Sequence, residues 1–211
     1  MPASKIGPIV GVILAGGRAE RMGGGDKALR MIGGKTILAR VIERLRPQVD
    51  ALVLNANGDP ARFAAFGLPV VPDSMPDFAG PLAGVLAGLD WAAAHELQAH
   101  YIITVPADGP FVPRDLVPHL ASTLAAEDAE LVTAASGAQT YPVVGLWPLH
   151  LRQALQDALT KEGVHKVDAW TRRFRRAIAT FPAEPVDPFF NANTPEQLAE
   201  AERLAALHPD I

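Results

Sequence analysis

Hydrophobic positions along the chain follow two alternating patterns. Short apolar runs, bounded by glycine, proline or polar residues, predict buried strands at 9–14, 51–55, 101–105, 131–135 and 142–147. Apolar or alanine-rich faces with helical spacing predict helices at 36–46, 81–94, 113–126 and 149–160. Because strands and helices alternate over the first 130 residues, we expect a three-layer α/β/α fold, with a mostly parallel sheet covered by helices on both faces.

The segments between these elements complete the outline. Residues Ala15–Lys35 hold seven glycines, which predicts that they are mostly loop. Thr194, Pro195 and Gln197 supply an N-cap, a proline for the first helical turn and a capping-box partner, so a last helix should run to about residue 206. With 211 residues and no clear linker, we expect one domain over residues 8–207, preceded by a loose tail at 1–7.

Composition narrows the class of protein. The net charge of -4 argues against a general nucleic-acid binder, which would need a basic face. The chain has no cysteine, so disulfides and thiolate metal sites are excluded. No apolar stretch approaches the roughly 20 residues that cross a bilayer, and Ile9–Ala15 is too short for a signal peptide and ends in a glycine pair. We therefore expect a cytoplasmic protein with no nucleic-acid or membrane partner.

The glycine-rich segment after the first predicted strand is a candidate phosphate cradle. Glycines let backbone N–H groups approach phosphate oxygens closely, and Arg21 and Lys27 add positive charge. The segment has neither the Gly-Lys-Ser/Thr of a Walker loop nor the spacing of a dinucleotide-binding loop. The alternative is a flexible surface turn with ordinary exposed basic residues.

Polar side chains follow other predicted strands. Asp108 lies in a turn bounded by Pro106 and Pro110, where its carboxylate could hold Mg²⁺ together with substrate phosphates; the alternative is an ordinary turn-forming aspartate. Asn55 follows the second strand and Asp73 follows the apolar stretch at 68–71. Because ligands bind beyond the carboxyl ends of strands in such sheets, these side chains could contact a base or ribose, although Asn and Asp are also common in plain loops.

These motifs occur in an order that resembles one family, over roughly residues 8 to 205. The motifs are the glycine loop with its arginine and lysine, Asn55-Ala56-Asn57, Asp73, Gly80-Pro81-Leu82-Ala83-Gly84, Pro106–Pro110 and Asn191-Ala192-Asn193-Thr194-Pro195. Together they are similar to the molybdenum cofactor guanylyltransferases, within the wider sugar-nucleotidyltransferase-like group. The resemblance implies a nucleotide-diphospho-sugar transferase-like, Rossmann-like fold.

The resemblance also implies roles for particular residues. Nucleotide-binding positions are matched by Leu14, Ala15, Gly16, Gly17, Lys27, Asn55, Asp73 and Asp108. Lys27 and Arg21 would carry charge on the phosphates, and Asp108 would hold Mg²⁺. Asn193, and less directly Asn191, match the far side of the site, near the metal or the molybdopterin. Gly163–Lys166 matches the family's pterin-phosphate region only loosely, so His165 and Lys166 stay open.

The implied reaction transfers GMP from GTP to molybdenum-molybdopterin and releases pyrophosphate. The alternatives are a sibling enzyme that uses CTP or acts on a sugar, cobinamide or isoprenoid phosphate, and a non-catalytic cofactor carrier. Other cofactor-biosynthesis or acceptor proteins are expected partners, and a monomer is the expected assembly. A basic cluster at Arg172–Arg176 is either a solvated face or a docking patch for an anionic partner.

Overall fold

The structure is built on a central sheet with helices on both sides. The computed structural model describes residues 6–16, 26–75, 80–95 and 98–211. Its strands are β1 (Ile9–Leu14), β2 (Met31–Ile32), β3 (Lys35–Thr36), β4 (Ala51–Asn55), β5 (Val70–Val71), β6 (Tyr101–Pro106), β7 (Leu131–Ser136), β8 (Gln139–Pro148) and β9 (Arg176–Phe181). Its helices are α1 (Ile37–Leu45), α2 (Pro81–His95), α3 (Leu116–Ala126), α4 (Arg152–Glu162), α5 (Val167–Thr171) and α6 (Pro195–Leu207).

Within these ranges the sheet has seven strands in the order β5-β4-β1-β6-β8-β7-β9, and β2 pairs with β3 in a separate hairpin. The strands β5, β4, β1 and β6 are parallel to one another. Only β8 runs the opposite way among these seven, because it pairs antiparallel with both β6 and β7, while β9 is parallel to β7. The predicted mostly parallel sheet is confirmed.

Two hydrophobic cores lie on opposite faces of the sheet, so the predicted three-layer fold is confirmed as well. Helices α1, α3 and α6 pack on one face and α2, α4 and α5 on the other. Strand β1 feeds both cores: Ile9 and Ile13 point to the first and Val10 and Val12 to the second, as the two-residue period of a strand requires. None of the helices in the described ranges has the length and apolar character that crossing a membrane needs.

Helix α2 lies close to the sheet because two of its residues are glycines. A Cβ on Gly84 would overlap the side chains of Asn55 and Leu14, and a Cβ on Gly88 would overlap Val12. Only glycine allows this approach without displacing a neighbour. The helix therefore presses on the carboxyl end of β4 at one glycine and on the middle of β1 at the other.

The structure departs from the sequence predictions at several places, among them the unpredicted short helix α5 and an unpredicted 3₁₀ helix at Pro60–Phe66. The segment predicted to be mostly loop contains the hairpin β2–β3, turned by Gly33 and Gly34, whose φ angles are +55° and +79°. Helix α3 begins at Leu116, after a turn at Pro113, and a 3₁₀ turn at Leu149–Leu151 precedes α4. Strand β9 was not predicted, because its buried positions are mostly alanine and its start lies in the arginine-rich segment.

The last helix begins as predicted. Thr194 Oγ1 accepts a hydrogen bond from the Gln197 backbone N–H at 3.2 Å, and Pro195 occupies the first turn. The Gln197 side chain accepts from the backbone N–H of Asn193 at 2.8 Å, one residue before the cap. This bond ties the helix start to the Asn191–Asn193 segment.

A buried threonine stabilises an irregularity in β8. Residues 142–144 are bulged, because Thr133 of β7 pairs with Gly145 and the next residue, Ala134, pairs with Tyr141. The Thr104 hydroxyl donates to the Val143 carbonyl in this bulge and accepts from the Trp147 indole N–H at 2.7 Å. Thr104 and Trp147 are both buried, so the Trp147 N–H depends on the hydroxyl for its hydrogen bond, while the Val143 carbonyl is only partly buried.

We expect Thr104→Val to lower the free energy of unfolding markedly. The isosteric change leaves the Val143 carbonyl and the Trp147 N–H without a partner, at about 1–3 kcal/mol for each group that stays buried. Urea unfolding followed by tryptophan fluorescence measures the effect. Thr180→Val, at an exposed position of β9, is the matched control and should change stability by less than about 0.5 kcal/mol. Equal stabilities for the two variants would contradict the role given to the Thr104 hydroxyl.

Candidate functional site

The carboxyl ends of β1, β4 and β6 meet at one edge of the sheet. The ladder continues past the strands: the Ala15 N–H donates to the Asn55 carbonyl at 2.8 Å, and the Ala107 N–H donates to the Leu14 carbonyl at 2.9 Å. A cavity of about 440 Å³ opens directly beyond this edge. It lies where ligands of parallel α/β sheets bind, and its volume is in the range of small-molecule sites.

The cavity is lined by residues from segments that are distant in the sequence. They are Leu14, Ala15, Gly16, Asp26, Lys27, Ala28, Asn55, Asn57, Asp73, Gly80, Pro81, Gly84, Pro106, Ala107, Asp108, Val143 and Asn191. Among the described residues, the lining combines one lysine, three carboxylates and three asparagines with several glycines and alanines. Such a surface can bind a polar ligand that carries both phosphates and hydrogen-bonding groups.

Asp73 is held by two asparagines. Asn55 Nδ2 donates to Asp73 Oδ1 at 2.9 Å, and Asn57 Nδ2 donates to Asp73 Oδ2 at 2.7 Å. The Asp73 backbone N–H in turn donates to Asn57 Oδ1 at 2.9 Å, which closes a two-bond ring between these residues. Each carboxylate oxygen can accept more than one hydrogen bond. Asp73 is therefore a preorganised acceptor on one wall of the cavity.

Lys27 lies on another wall of the cavity, and its side chain is held by a hydrogen bond to a residue near the start of α6. It lies in a 3₁₀ turn, Lys27–Leu29, directly after the glycine-rich segment. Its Nζ donates to Asn193 Oδ1 at 3.0 Å, across 166 positions of sequence. An ammonium group has two further donors, and the presence of Lys27 in the cavity lining leaves them a route to a bound anion.

Asp108 and Asn191 form the oxygen-rich end of the cavity. The Ala192 N–H donates to the Asp108 carbonyl at 3.1 Å, and a Cβ on Gly109 would lie 3.5 Å from Asn191 Oδ1, so the two turns are in contact. Burial raises the pKa of the Asp108 carboxyl, while the positive charge of Lys27 opposes that rise. Asn191 Oδ1 is buried and has no hydrogen-bond partner within the part of the chain that the structure describes.

The Asp108 and Asn191 oxygens fit a hard divalent cation. A buried acceptor that lacks a partner among the described residues is costly without a ligand. Because its turn contacts the turn of the largely buried Asp108 carboxyl, one cation could be bound from both turns. Among the described residues there is no cluster of three or more His, Asp or Glu side chains that could hold a metal. A site with one carboxylate and one amide oxygen leaves the remaining positions to water or ligand phosphates, as Mg²⁺ prefers.

The structure brings most of the sequence-predicted residues together. Those that line the one cavity are Leu14, Ala15, Gly16, Lys27, Asn55, Asp73, Asp108 and Asn191. Asn193 contacts Lys27 instead of lining the cavity, so the asparagine with the weaker prediction, Asn191, is the one that faces it. Gly17 and Arg21 lie outside the described residues.

The two predicted basic regions differ in their surroundings. The segment at 163–166 passes the cavity rim, since the His165 carbonyl lies 4.0 Å from the Cβ position of Gly80. The arginines of the cluster are each paired with nearby acids: Arg172 and Arg176 with Asp168, Arg173 with Glu162, and Arg175 with Asp128 and Glu130. These local ion pairs favour the interpretation of the cluster as a solvated face.

Sequence reasoning missed several residues of the cavity wall. Asn57 stood within a recognised motif, but nothing in the sequence showed that its amide would orient Asp73. Asp26 could have been noticed as the acidic neighbour of Lys27. Val143 reaches the cavity through the bulge in β8, and nothing in the sequence indicated that bulge, because Pro142 stood at the first position of the predicted strand, where proline is tolerated.

A family model matches most of the chain. The model of the MobA-like NTP transferase domain matches residues 11–177. The match covers the glycine-rich segment, the Asn55-Ala56-Asn57 motif and Asp108, while the Asn191–Asn193 segment lies beyond it.

Individual relatives extend the match to both ends. A molybdenum cofactor guanylyltransferase from Bradyrhizobium sp. (strain ORS 278) is 59% identical over 98% of this chain and 98% of its own length. The crystal structure of molybdopterin-guanine dinucleotide biosynthesis protein A from Archaeoglobus fulgidus superimposes with a TM-score of 0.71 at 20% identity, covering 94% of this chain and 99% of that one. A manganese complex of a Mycobacterium tuberculosis protein has a TM-score of 0.64 at 18% identity, covering 93% and 98%.

We expect Gly84→Ala to weaken binding of a nucleoside triphosphate. The added methyl group would overlap Asn55 and Leu14, and overpacking of this kind costs about 1–3 kcal/mol. Displacing Asn55 also removes the hydrogen bond that orients Asp73. Isothermal titration calorimetry with GTP and Mg²⁺ measures the change.

Gly88→Ala is the matched control for that experiment. It overpacks the same helix against Val12, away from the cavity, so it should lower stability without weakening binding. Similar losses of affinity in the two variants would mean that the spacing of α2 acts on the whole fold and not through Asn55.

Proposed function

This chain belongs to the MobA-like NTP transferase family, and we propose that it transfers GMP from GTP to molybdenum-molybdopterin, forming the guanine dinucleotide cofactor and pyrophosphate. The observation that carries the proposal is one cavity in which Lys27, Asp73, Asp108 and Asn191 converge at the carboxyl edge of the sheet. The 59% identity to a molybdenum cofactor guanylyltransferase supports the choice of base and acceptor.

The reaction joins two polyanions. A terminal phosphate oxygen of the acceptor attacks the α-phosphorus of GTP, the bond between that phosphorus and the bridging oxygen breaks, and pyrophosphate leaves with the electron pair. A phosphate monoester is already a nucleophile, so the mechanism needs no covalent enzyme intermediate. The protein has to align the reacting groups and stabilise charge on the leaving group.

We assign the phosphate contacts to the glycine-rich segment and Lys27. Lys27 lines the cavity and its ammonium is held by Asn193, so it can stabilise the negative charge that grows on pyrophosphate. The Gly16 backbone N–H can serve the same phosphates, because the Ala15 N–H already donates to the Asn55 carbonyl, and we keep Gly17 and Arg21 in this role as proposals. Arginine in such a segment would add a fixed positive charge.

Asp108 and Asn191 are the residues that we expect to hold Mg²⁺. When bound, the cation would neutralise phosphate charge. The buried Asp108 carboxylate supplies the negative charge, and the orphaned Asn191 oxygen supplies a neutral ligand. Lys27 lies close enough to influence the Asp108 carboxyl electrostatically, so the metal and lysine roles are organised around the same phosphates.

Base recognition is assigned to the wall that carries Asp73. Guanine presents N1–H and N2–H donors, which a carboxylate accepts well. Asn55 and Asn57 hold both carboxylate oxygens of Asp73 in place, so the acceptor is oriented before the ligand arrives. Asp73 could also bind the ribose hydroxyls, and base selectivity separates these two roles.

We propose one domain over residues 8–207, in which the N-terminal half binds the nucleotide and the C-terminal half binds the acceptor. The segment at 163–166, on the rim beside Gly80, is where we expect the pterin phosphate to enter. Action as a monomer in the cytoplasm and contact with other cofactor-biosynthesis or acceptor proteins complete the proposal.

The proposed function predicts selection of GTP over ATP and CTP, assayed as pyrophosphate release with a molybdopterin-loaded carrier. A lost buried pairing costs about 1–3 kcal/mol, which corresponds to roughly 5- to 150-fold in discrimination. Asp73→Asn should reduce the GTP/ATP ratio, because the amide offers a donor where guanine also has one.

Asp108→Asn controls for contaminating activity in that assay, since it removes the proposed metal carboxylate and should release no pyrophosphate. Preference of the wild type for CTP would replace the proposed function by a cytidylyltransferase. Unchanged discrimination in Asp73→Asn would move base recognition to the Leu14–Gly16 backbone.

We expect Lys27→Ala to reduce kcat more than it weakens GTP binding. In the ground state the triphosphate already has the metal and loop N–H groups, whereas charge moves onto pyrophosphate as the bond breaks, so the ammonium contributes most in the transition state. Removal of one preorganised donor commonly costs ~10²–10³ in rate. Comparing kcat with a directly measured Kd tests this. Weakened binding with unchanged kcat would limit Lys27 to anchoring the substrate.

A further inference from the structure

The Arg62 side chain bridges two walls of the cavity without lining it. Its Nη2 donates to the backbone carbonyl of Asn57, and its Nε lies 3.2 Å from Asp26 Oδ2. Asn57 and Asp26 both line the cavity, on segments that follow β4 and precede the Lys27 turn. A single guanidinium therefore connects two walls: the base-side wall, which carries Asn57 and Asp73, and the phosphate-side wall, which carries Asp26 and Lys27.

On the base side, the contact reaches the residue that orients Asp73. Asn57 uses its side chain to bind Asp73 twice, once at the carboxylate and once at the backbone N–H. Its own carbonyl is the atom that Arg62 holds. The position of the Asp73 acceptor thus depends on the loop at 56–58, and that loop is fixed by Arg62.

On the phosphate side, the contact reaches the residue before Lys27. The Asp26 carbonyl accepts from the Leu29 N–H at 3.1 Å and so closes the turn that carries Lys27. An aspartate in front of a helical turn often caps it with its side chain, but the Asp26 carboxylate makes no such bond and faces Arg62 instead. The ion pair therefore sets where the Lys27 turn stands relative to the base-side wall.

Arg62 is itself anchored on the core. Its guanidinium carbon lies 4.7 Å from the ring centre of Phe63, which is 1% exposed. The side chains of Arg62 and Asp26 are 34% and 22% exposed, so their ion pair is partly shielded from water. A planar guanidinium can serve two acceptors in different directions while it stacks on an aromatic ring, and a lysine ammonium at the same place cannot.

We propose that Arg62 is a positioning residue that sets the distance between the base-side wall and the phosphate-side wall. This inference rests on the proposed function. One arm of the guanidinium, toward Asn57, acts on base selectivity through Asp73. The other arm, toward Asp26, acts on turnover through Lys27.

The two arms can be separated by substitution. Arg62→Ala loses both and should lower kcat/KM for GTP by about tenfold, within the ~10²-fold that a 1 Å misplacement can cost, and should also lower the GTP/ATP ratio. Arg62→Lys keeps a charge for Asp26 but loses the directed bond to Asn57, so kcat should recover while the GTP/ATP ratio stays low. Asp26→Asn should do the reverse and lower kcat with little change in that ratio.

Arg203→Ala is the matched control, because Arg203 makes an exposed ion pair with Glu200 on α6. It should leave both quantities at the wild-type level. Thermal unfolding of each variant fixes an assay temperature at which all are folded. Wild-type kcat and GTP/ATP ratio in folded Arg62→Ala, with only a lower unfolding temperature, would overturn the proposal and leave Arg62 a purely structural role.

The same experiment keeps this inference apart from the proposed function. If the wild type neither binds GTP in calorimetry nor releases pyrophosphate from it, the proposed function fails, and the proposed role of Arg62 fails with it. If the wild type selects and uses GTP while the Arg62 variants match it, only the role of Arg62 is rejected.

Discussion

The site depends on parallel strands that end at the same level of the sheet. Leu14 of β1 pairs in register with Asn55 of β4 and with Pro106 of β6, so the residues that follow each strand reach the same edge together. The backbone N–H groups of Ala15 and Ala107 continue the ladder past these ends and fix the turns. A shift of one residue in either pairing would turn the following side chains to the other face of the sheet, so they would no longer line the cavity together.

Much of this arrangement was accessible from the sequence because it follows from chain order and apolar pattern. The short apolar runs located β1, β4 and β6, and the polar residues that follow them indicated a ligand site at this edge of the sheet. Strand β9 was not predicted from the sequence because alanines at 177 and 179 produce only a weak apolar alternation. The position of Asn191 in the cavity lining, the contact of Asn193 with Lys27 and the bridge formed by Arg62 were missed for another reason. They depend on how segments far apart in the sequence meet, and no local pattern encodes that.

The cavity concentrates groups that are poorly satisfied by the protein alone. Burial disfavours the charged form of Asp108, and the Asn191 oxygen lacks a donor among the described residues. Unsatisfied buried groups of this kind cost about 1–3 kcal/mol each. A cation with a bound triphosphate would remove both costs, so substrate and metal should stabilise the fold in proportion to their concentrations. The protein without ligands is therefore less stable than it could be, because its site is arranged to bind charged ligands.

The hydrogen bond between Lys27 and Asn193 has a consequence for the way in which the protein is made. These residues are 166 positions apart, and at ~5–20 residues per second a ribosome needs on the order of ten seconds or more to pass from one to the other. During that interval the nascent chain contains the glycine-rich segment and Asp73, but it lacks Asn191 and also Asn193, which binds Lys27. The cavity is completed only when the start of α6 has left the exit tunnel, so catalytic competence cannot arise before that point.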